Sequence, residues 1–373
     1  MKIALFANTE WYLYNFRRSL ALALRDAGHE VLLVSPPGPY GEKLRALGFS
    51  WVAAPMERRS LNPLRELALV NWLKRLFFEE RVDLVHGFTI KCAVYGSLAA
   101  RLTGIPRVNA VAGMGYVFSS SDLKARLLRP VVRTLMRLAL DGKAARLILQ
   151  NPDDVSLFKK ARLVDPAVIR LIPGSGVDCS RFVPTPERRR GERFRVLLAA
   201  RLLWDKGVAE YVEAASRLRA QGRTIDFLLA GDPDPGNPAA VPEAQVRGWV
   251  AEGLVHWLGH VDDMPGLFAT VDAVILPSFR EGLPKGLIEA GACALPLVTT
   301  DVPGCREVVS DGVDGLLVPV HDAASLAAAI ARLQDDPMLG ERLGQAARIK
   351  ALAEFDESIV VAKTLAVYGE LLS

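Results

Sequence analysis

The stretch that decides the fold is residues 274–304, VILPSFREGLPKGLIEAGACALPLVTTDVPG. Val274 to Leu276 is a short apolar run stopped by Pro277, as expected of a strand buried in a parallel sheet. A polar loop follows, Ser278 to Gly282. Pro284 stands where a helix begins, because its missing N–H costs nothing in the first turn. The helix is expected to reach about Cys293. Pro296 forbids its continuation, and Leu297 to Thr300 starts a second strand. Strand, loop, helix, strand is a βαβ unit, and its loop lies at the carboxyl edge of the sheet, where open α/β sheets bind ligands. Free N–H groups and the helix dipole favour an anion such as phosphate there. The cradle expected for it is Gly282, Leu283, Pro284, Lys285 and Gly286. Two carboxylates flank this helix start: Glu281 in the loop and Glu289 about two turns on. Glu281 is placed to hydrogen-bond a sugar at the phosphate end, and Glu289 to meet a ribose. The plainer alternative is two solvated glutamates.

Outward from this unit, the second half alternates strands near 195–200, 225–230, 254–258, 273–277, 295–300 and 315–318 with helices. The first half does the same. Strands are expected at 2–7, 30–35, 51–53, 83–86, 107–111, 146–150 and 168–172, with helices at 16–27, 41–47, 62–80 and 91–102. Residues 8–15 read as a loop. Such alternation specifies a parallel, helix-flanked sheet. Pro173 to Asp178 and the stretch VPTPERRRGE, 183–192, read as the linker. The expected organisation is an α/β protein with a Rossmann-like domain over 1–175, a second over 176–355, and a final helix over 356–373. The two domains are expected to face a central cleft.

The chain has 373 residues and a formal net charge of +4. Residues 1–170 carry 26 Lys/Arg against 14 Asp/Glu, whereas the remainder is acidic. A basic half suits an anionic partner: nucleic acid, a membrane face or a diphosphate substrate. Four scattered cysteines lack metal-ligand spacing and read as reduced cytosolic thiols. No apolar run is long enough for a spanning helix, and MKIALFANTE reads as a strand rather than a signal peptide. Residues 122–140, DLKARLLRPVVRTLMRLAL, place Arg126, Arg129, Arg133 and Arg137 opposite Leu127, Val131, Leu135 and Leu138. This amphipathic helix suits an anionic bilayer surface, the alternative being ordinary packing of its apolar stripe.

AARLLWDKGV, 199–208, puts Arg201 and Lys206 in a strand-to-helix loop, where two cations suit a diphosphate. In LLAGDPDPG, 228–236, Gly231 is read as letting a flat base approach. Asp232-Pro233-Asp234 has the form of a metal motif but is discounted, because the cations already serve the phosphates. No metal and no other cofactor is expected.

These elements resemble the retaining nucleotide-sugar glycosyltransferases of family 4, with the GT-B fold. The carriers are Glu281-x7-Glu289 and Arg201-x4-Lys206-Gly207, where Ala200 replaces the family's Gly. The resemblance implies that Glu281 contacts the donor sugar, Glu289 the ribose, and Arg201 and Lys206 the departing diphosphate. It also implies that the backbone at His260 and Val261 meets the base, and that His86, read at the end of its strand, faces the donor sugar. NTEWYLYNFR, 8–17, and VNAVAGMGYVF, 108–118, resemble bacterial enzymes that extend polyprenyl-diphosphate-linked glycans, such as N-acetylgalactosaminyltransferases. That resemblance implies an acceptor side built from Asn8, Thr9, Asn15, Arg17, Lys91, Gly113 and Gly115. The expected partners are a UDP-sugar, a lipid-linked saccharide and an anionic membrane surface, without nucleic acid. The expected location is the inner face of the bacterial cytoplasmic membrane. The usual account of retention is front-side attack, with the leaving phosphate taking the acceptor proton; no carboxylate of the first half is clearly placed as a nucleophile. Alternatives are a transferase with a soluble acceptor, a nucleotide-sugar 2-epimerase on this fold, and a nucleic-acid-binding protein.

Overall fold

The computed structural model describes residues 1–58, 60, 62–111, 123–185 and 193–372. The chain divides into two compact units, 1–176 with 358–373, and 177–357. Unit 1 holds seven strands: β1 (Lys2–Phe6), β2 (Glu30–Ser35), β3 (Ser50–Ala53), β4 (Leu84–Phe88), β5 (Arg107–Val111), β6 (Ala145–Leu149) and β7 (Ile169–Leu171). They lie in the order β3-β2-β1-β4-β5-β6-β7, every pairing parallel. Unit 2 holds β8 (Phe194–Ala199), β9 (Ile225–Ala230), β10 (His256–Gly259), β11 (Ala273–Leu276), β12 (Leu297–Thr300) and β13 (Leu316–Val318). Their order is β10-β9-β8-β11-β12-β13, again parallel throughout. Both are doubly wound sheets. Their order reverses beside β1 and beside β8, which is where such sheets open a ligand crevice.

The central strands read as unbroken apolar runs because helices cover both faces. Ile3 to Phe6 and Ala273 to Leu276 are all buried. Helix starts are set by short polar side chains. Thr9, Asn62, Asn151, Asp263, Asp322 and Asp336 each accept a backbone N–H of the first turn. Gly104 ends its helix in the left-handed region, φ +75°.

Residues 8–15, expected as a loop, are mostly helical. Thr9 caps a helix over Glu10–Phe16, and a second runs over Arg18–Asp26. The first is held by ring contacts one turn apart: Tyr12 stacks on Phe16 at 5.0 Å and Trp11 tilts against it at 5.4 Å. Sequence propensity undervalues such a helix because aromatic residues are mediocre helix formers alone.

The basic helix runs over Leu123–Leu140. Its buried face differs from the expected stripe. Met136, Ala139 and Leu140 are buried, while Leu135 and Leu138 are exposed beside Arg133 and Arg137. The side chains of Arg126, Leu127, Arg129 and Val131 lie outside the described residues. The last helix, Glu357–Leu372, belongs for nearly all its length to unit 1. Val360, Val367 and Tyr368 enter the core with β1, β2 and β4. Glu370 is clamped by Arg146 at 2.6 Å and Arg170 at 2.5 Å.

Candidate active site

In unit 2, the loops leaving β8, β9, β11 and β12 converge at the carboxyl edge. Glycines allow the approach. Gly207, at φ +72°, lies so close to Pro277 that a Cβ would stand 2.1 Å from that carbonyl oxygen. At Gly304 a Cβ would stand 2.5 Å from the Glu281 carbonyl oxygen. Backbone bonds close the cluster: Leu202 N–H donates to Asp232 O at 3.0 Å, Phe279 N–H to Asp205 O at 2.9 Å, and Glu281 N–H to Pro303 O at 3.1 Å.

This packing brings two sequence-distant charges together. Lys206 Nζ donates to Glu281 Oε1 at 2.5 Å, both side chains largely buried. Ser278 Oγ donates to the same oxygen at 2.7 Å. Ser278 is itself completely buried, and Thr300 Oγ1 donates to its carbonyl. Glu281 is therefore fixed by three elements. Cys305, beneath the pair, has its thiol pushed up to about 12, chiefly by burial and also by the Glu281 charge. Arg201 pairs with Asp234 at 2.9 Å but is 60% exposed. The second aspartate of Asp232-Pro233-Asp234 is thus occupied by a guanidinium. Each cation expected at a diphosphate is held by a carboxylate in this structure.

The helix Lys285–Ala292 begins after Pro284 with no side-chain cap. Pro284 occupies the capping position, so the helix starts at Lys285, one residue later than expected. Leu283 packs on the core, and Gly282 and Gly286 stand on either side of the turn. Glu289 lies on this helix with Lys285 at 3.7 Å. Burial pushes its carboxyl above the usual range, partly offset by Lys285 and Arg181.

At Gly231 a Cβ would stand 1.9 Å from Ala200 O, so close packing of the chain itself already requires the glycine. Its N–H donates to Gly259 O at 2.7 Å, and Trp257 Nε1 donates to its carbonyl at 2.8 Å. His260 is exposed, with Nε2 3.2 Å from Asp262 Oδ1. Val261 packs against the core.

In unit 1 His86 is not at the strand end. β4 continues to Phe88, and His86 sits mid-strand between Leu5 and Val108. It is 1% exposed, with Nδ1 2.5 Å from Tyr368 Oη. Burial, reinforced by the nearby Arg17 charge, drives its pKa far down, so the ring is neutral. Lys91 is tied to Glu66 at 2.8 Å and to the carbonyls of Glu57 and Ser60, which fixes the approach to the helix Pro63–Glu79. Thr9 accepts from Tyr12 N–H, and Asn15 Nδ2 donates to Trp11 O at 3.0 Å. Asn8 lies in the turn after β1. Arg17 is buried. Gly113 and Gly115 lie outside the described residues. Ser278, Thr300, Arg181 and Tyr368 were not singled out in the sequence. Ser278 had a signal, three residues before Glu281; the others come from distant segments.

The two sheet orders, the basic loop opposite Glu281 and the uncapped helix start are the architecture of a GT-B glycosyltransferase. The model of the glycosyl transferases group 1 matches residues 193–336, and that of the glycosyl transferase 4-like domain matches residues 15–174. The chain belongs to this glycosyltransferase family, with the GT-B fold. It is 30% identical, over all of its length and 99% of the relative's, to the N,N'-diacetylbacillosaminyl-diphospho-undecaprenol alpha-1,3-N-acetylgalactosaminyltransferase of Campylobacter jejuni. It is 27% identical to the UDP-Gal:alpha-D-GlcNAc-diphosphoundecaprenol alpha-1,3-galactosyltransferase of Escherichia coli, over 75% of this chain and 74% of that one. The fold matches crystalline HepE of Anabaena in complex with UDP, at TM-score 0.79 and 22% identity over both whole chains.

Proposed function

We propose that this enzyme moves a sugar, with retention at the anomeric carbon, from a UDP-sugar to a saccharide carried on a lipid diphosphate. The observation that carries the donor half is the Lys206–Glu281 pair, locked at the carboxyl edge of unit 2 beside an uncapped helix start. The bond between the anomeric carbon and the diphosphate oxygen breaks, and an acceptor hydroxyl bonds to the same face. Its proton passes to the departing phosphate. Charge grows on the leaving diphosphate, and Arg201, Lys206 and the N–H groups near Lys285 are the groups that meet it. Asp234 and Glu281 hold those cations in place until the diphosphate competes for them. Glu281 orients the donor sugar and Glu289 the ribose. With protein cations at the phosphates, the reaction is expected to run without a metal ion.

The acceptor half is supported by the two relatives whose names carry a diphospho-undecaprenol acceptor and by the basic balance of residues 1–170. No helix among the described residues is long and apolar enough to cross a membrane. Surface attachment at the cytoplasmic face through the helix Leu123–Leu140 fits its exposed Arg133, Leu135, Arg137 and Leu138. The test is transfer by Lys206→Ala and Glu281→Ala. Loss of one preorganised charged contact should cut turnover by about 100-fold or more. Unchanged turnover in a folded variant removes that residue from the site.

A further inference from the structure

We infer that Arg17 binds the acceptor's diphosphate in unit 1, an inference that rests on the lipid-diphosphate reading above. Arg17 stands at the junction of the helices Glu10–Phe16 and Arg18–Asp26, near the carboxyl ends of β1 and β4. It is only 4% exposed. Its guanidinium lies 4.4 Å over the Phe88 ring and 5.5 Å from that of Tyr12. Nη2 donates to Tyr12 Oη at 2.9 Å, and Nε has no partner.

A buried guanidinium is normally paired with a carboxylate, because removing a charge from water is costly. Among the described residues none pairs with Arg17. Glu10, also buried, is directed at Gly38, where a Cβ would stand 2.0 Å from its Oε1. The titratable groups facing Arg17 are the Tyr12 hydroxyl, to which it donates, and His86 and Tyr368. Burial keeps the His86 ring neutral and pushes Tyr368 above its ordinary range, so neither compensates the charge. His86 Nε2 is likewise buried without a partner. The following helix opens without a side-chain cap and without an acidic residue in its first turn. A fixed positive charge, an open helix start and an unfilled donor therefore meet at the switch in strand order, where such a sheet takes its ligand. The missing counterion is a phosphate. Its oxygens would replace the Tyr12 hydroxyl on Nη2 and fill Nε, the side-by-side contact that a guanidinium fork makes and an ammonium cannot.

The test compares wild type, Arg17→Met and Arg17→Lys in three measurements. The first is melting without ligand. Removing an uncompensated buried charge with an apolar chain of similar volume should leave the midpoint unchanged or raise it. The second is the melting shift with farnesyl diphosphate at saturating UDP, which should be lost in Arg17→Met. The third is KM for a polyprenyl-diphosphate-linked acceptor against a phosphate-free glycoside of the same sugar. Arg17→Met should shrink the preference for the diphosphate acceptor by ten- to a hundredfold, roughly one charged hydrogen bond, with Arg17→Lys between. A lower midpoint with the preference intact overturns the inference and makes Arg17 a packing residue. A shift with inorganic diphosphate but none with farnesyl diphosphate also overturns it. If wild type transfers sugar to neither acceptor yet shows the Arg17-dependent shift, the transferase reading fails and the binding site stands.

Discussion

Lys206 is 75 positions from Glu281 in sequence and 2.5 Å from it in space. The two were legible separately, as a cation after one strand and a carboxylate after another. Their pairing was not, because it depends on Gly207 letting its loop lie against Pro277. His86 shows the opposite outcome. A histidine after an apolar run looked like an edge residue. The strand continues through Gly87 and Phe88, and only Thr89 breaks it, at φ +70°. One test belongs at this scale. Glu281→Gln keeps the size of the side chain and the Ser278 contact but removes the charge that holds Lys206. It should fold with a midpoint near wild type and transfer sugar at least about tenfold more slowly, as read from initial rates at saturating donor.

At the scale of elements, the strands were legible because a parallel sheet buries both faces, leaving apolar runs separated by turn residues. The helix Glu10–Phe16 was not legible, since stacked rings rather than propensity stabilise it. Loop packing allows a sharp prediction. Gly207→Ala puts a Cβ against the Pro277 carbonyl at a backbone angle that disfavours alanine. It should cost about 2–4 kcal/mol in denaturant unfolding and displace Lys206. Replacing a residue in open space with the same φ, as in Gly222→Ala, should cost only about 1 kcal/mol. The basic helix carries a second test. Arg133 and Arg137 are exposed and donate to the carbonyls of Ala161 and Arg162. Replacing both with Glu should release the protein from anionic vesicles in flotation. Undisturbed flotation would leave the helix as a packing element alone.

At the scale of the whole molecule, the chain leaves unit 1 at Gly176 and returns to it at Ser358. The return is secured by Glu370, whose carboxyl is held at about 2 by Arg170 and Arg146. A depressed carboxylate contributes stability above its unfolded value, near 4.5, and loses it as pH falls toward about 2. Glu370→Gln should therefore melt a few degrees below wild type at neutral pH. The gap should close between about pH 4.5 and 2. A gap that persists at the acid end would show that the Arg146–Glu370–Arg170 contact is not what differs.

The most direct measurement of the central claim is a mass-spectrometric transfer assay with UDP-sugars and an undecaprenyl-diphosphate-linked saccharide. The account predicts an acceptor heavier by one sugar, UDP released in equal amount, and an anomeric configuration matching the donor's. It also predicts loss of product in Lys206→Ala and Glu281→Ala. A folded protein that leaves every UDP-sugar and the lipid-linked acceptor unchanged, or a product of inverted configuration, would contradict it.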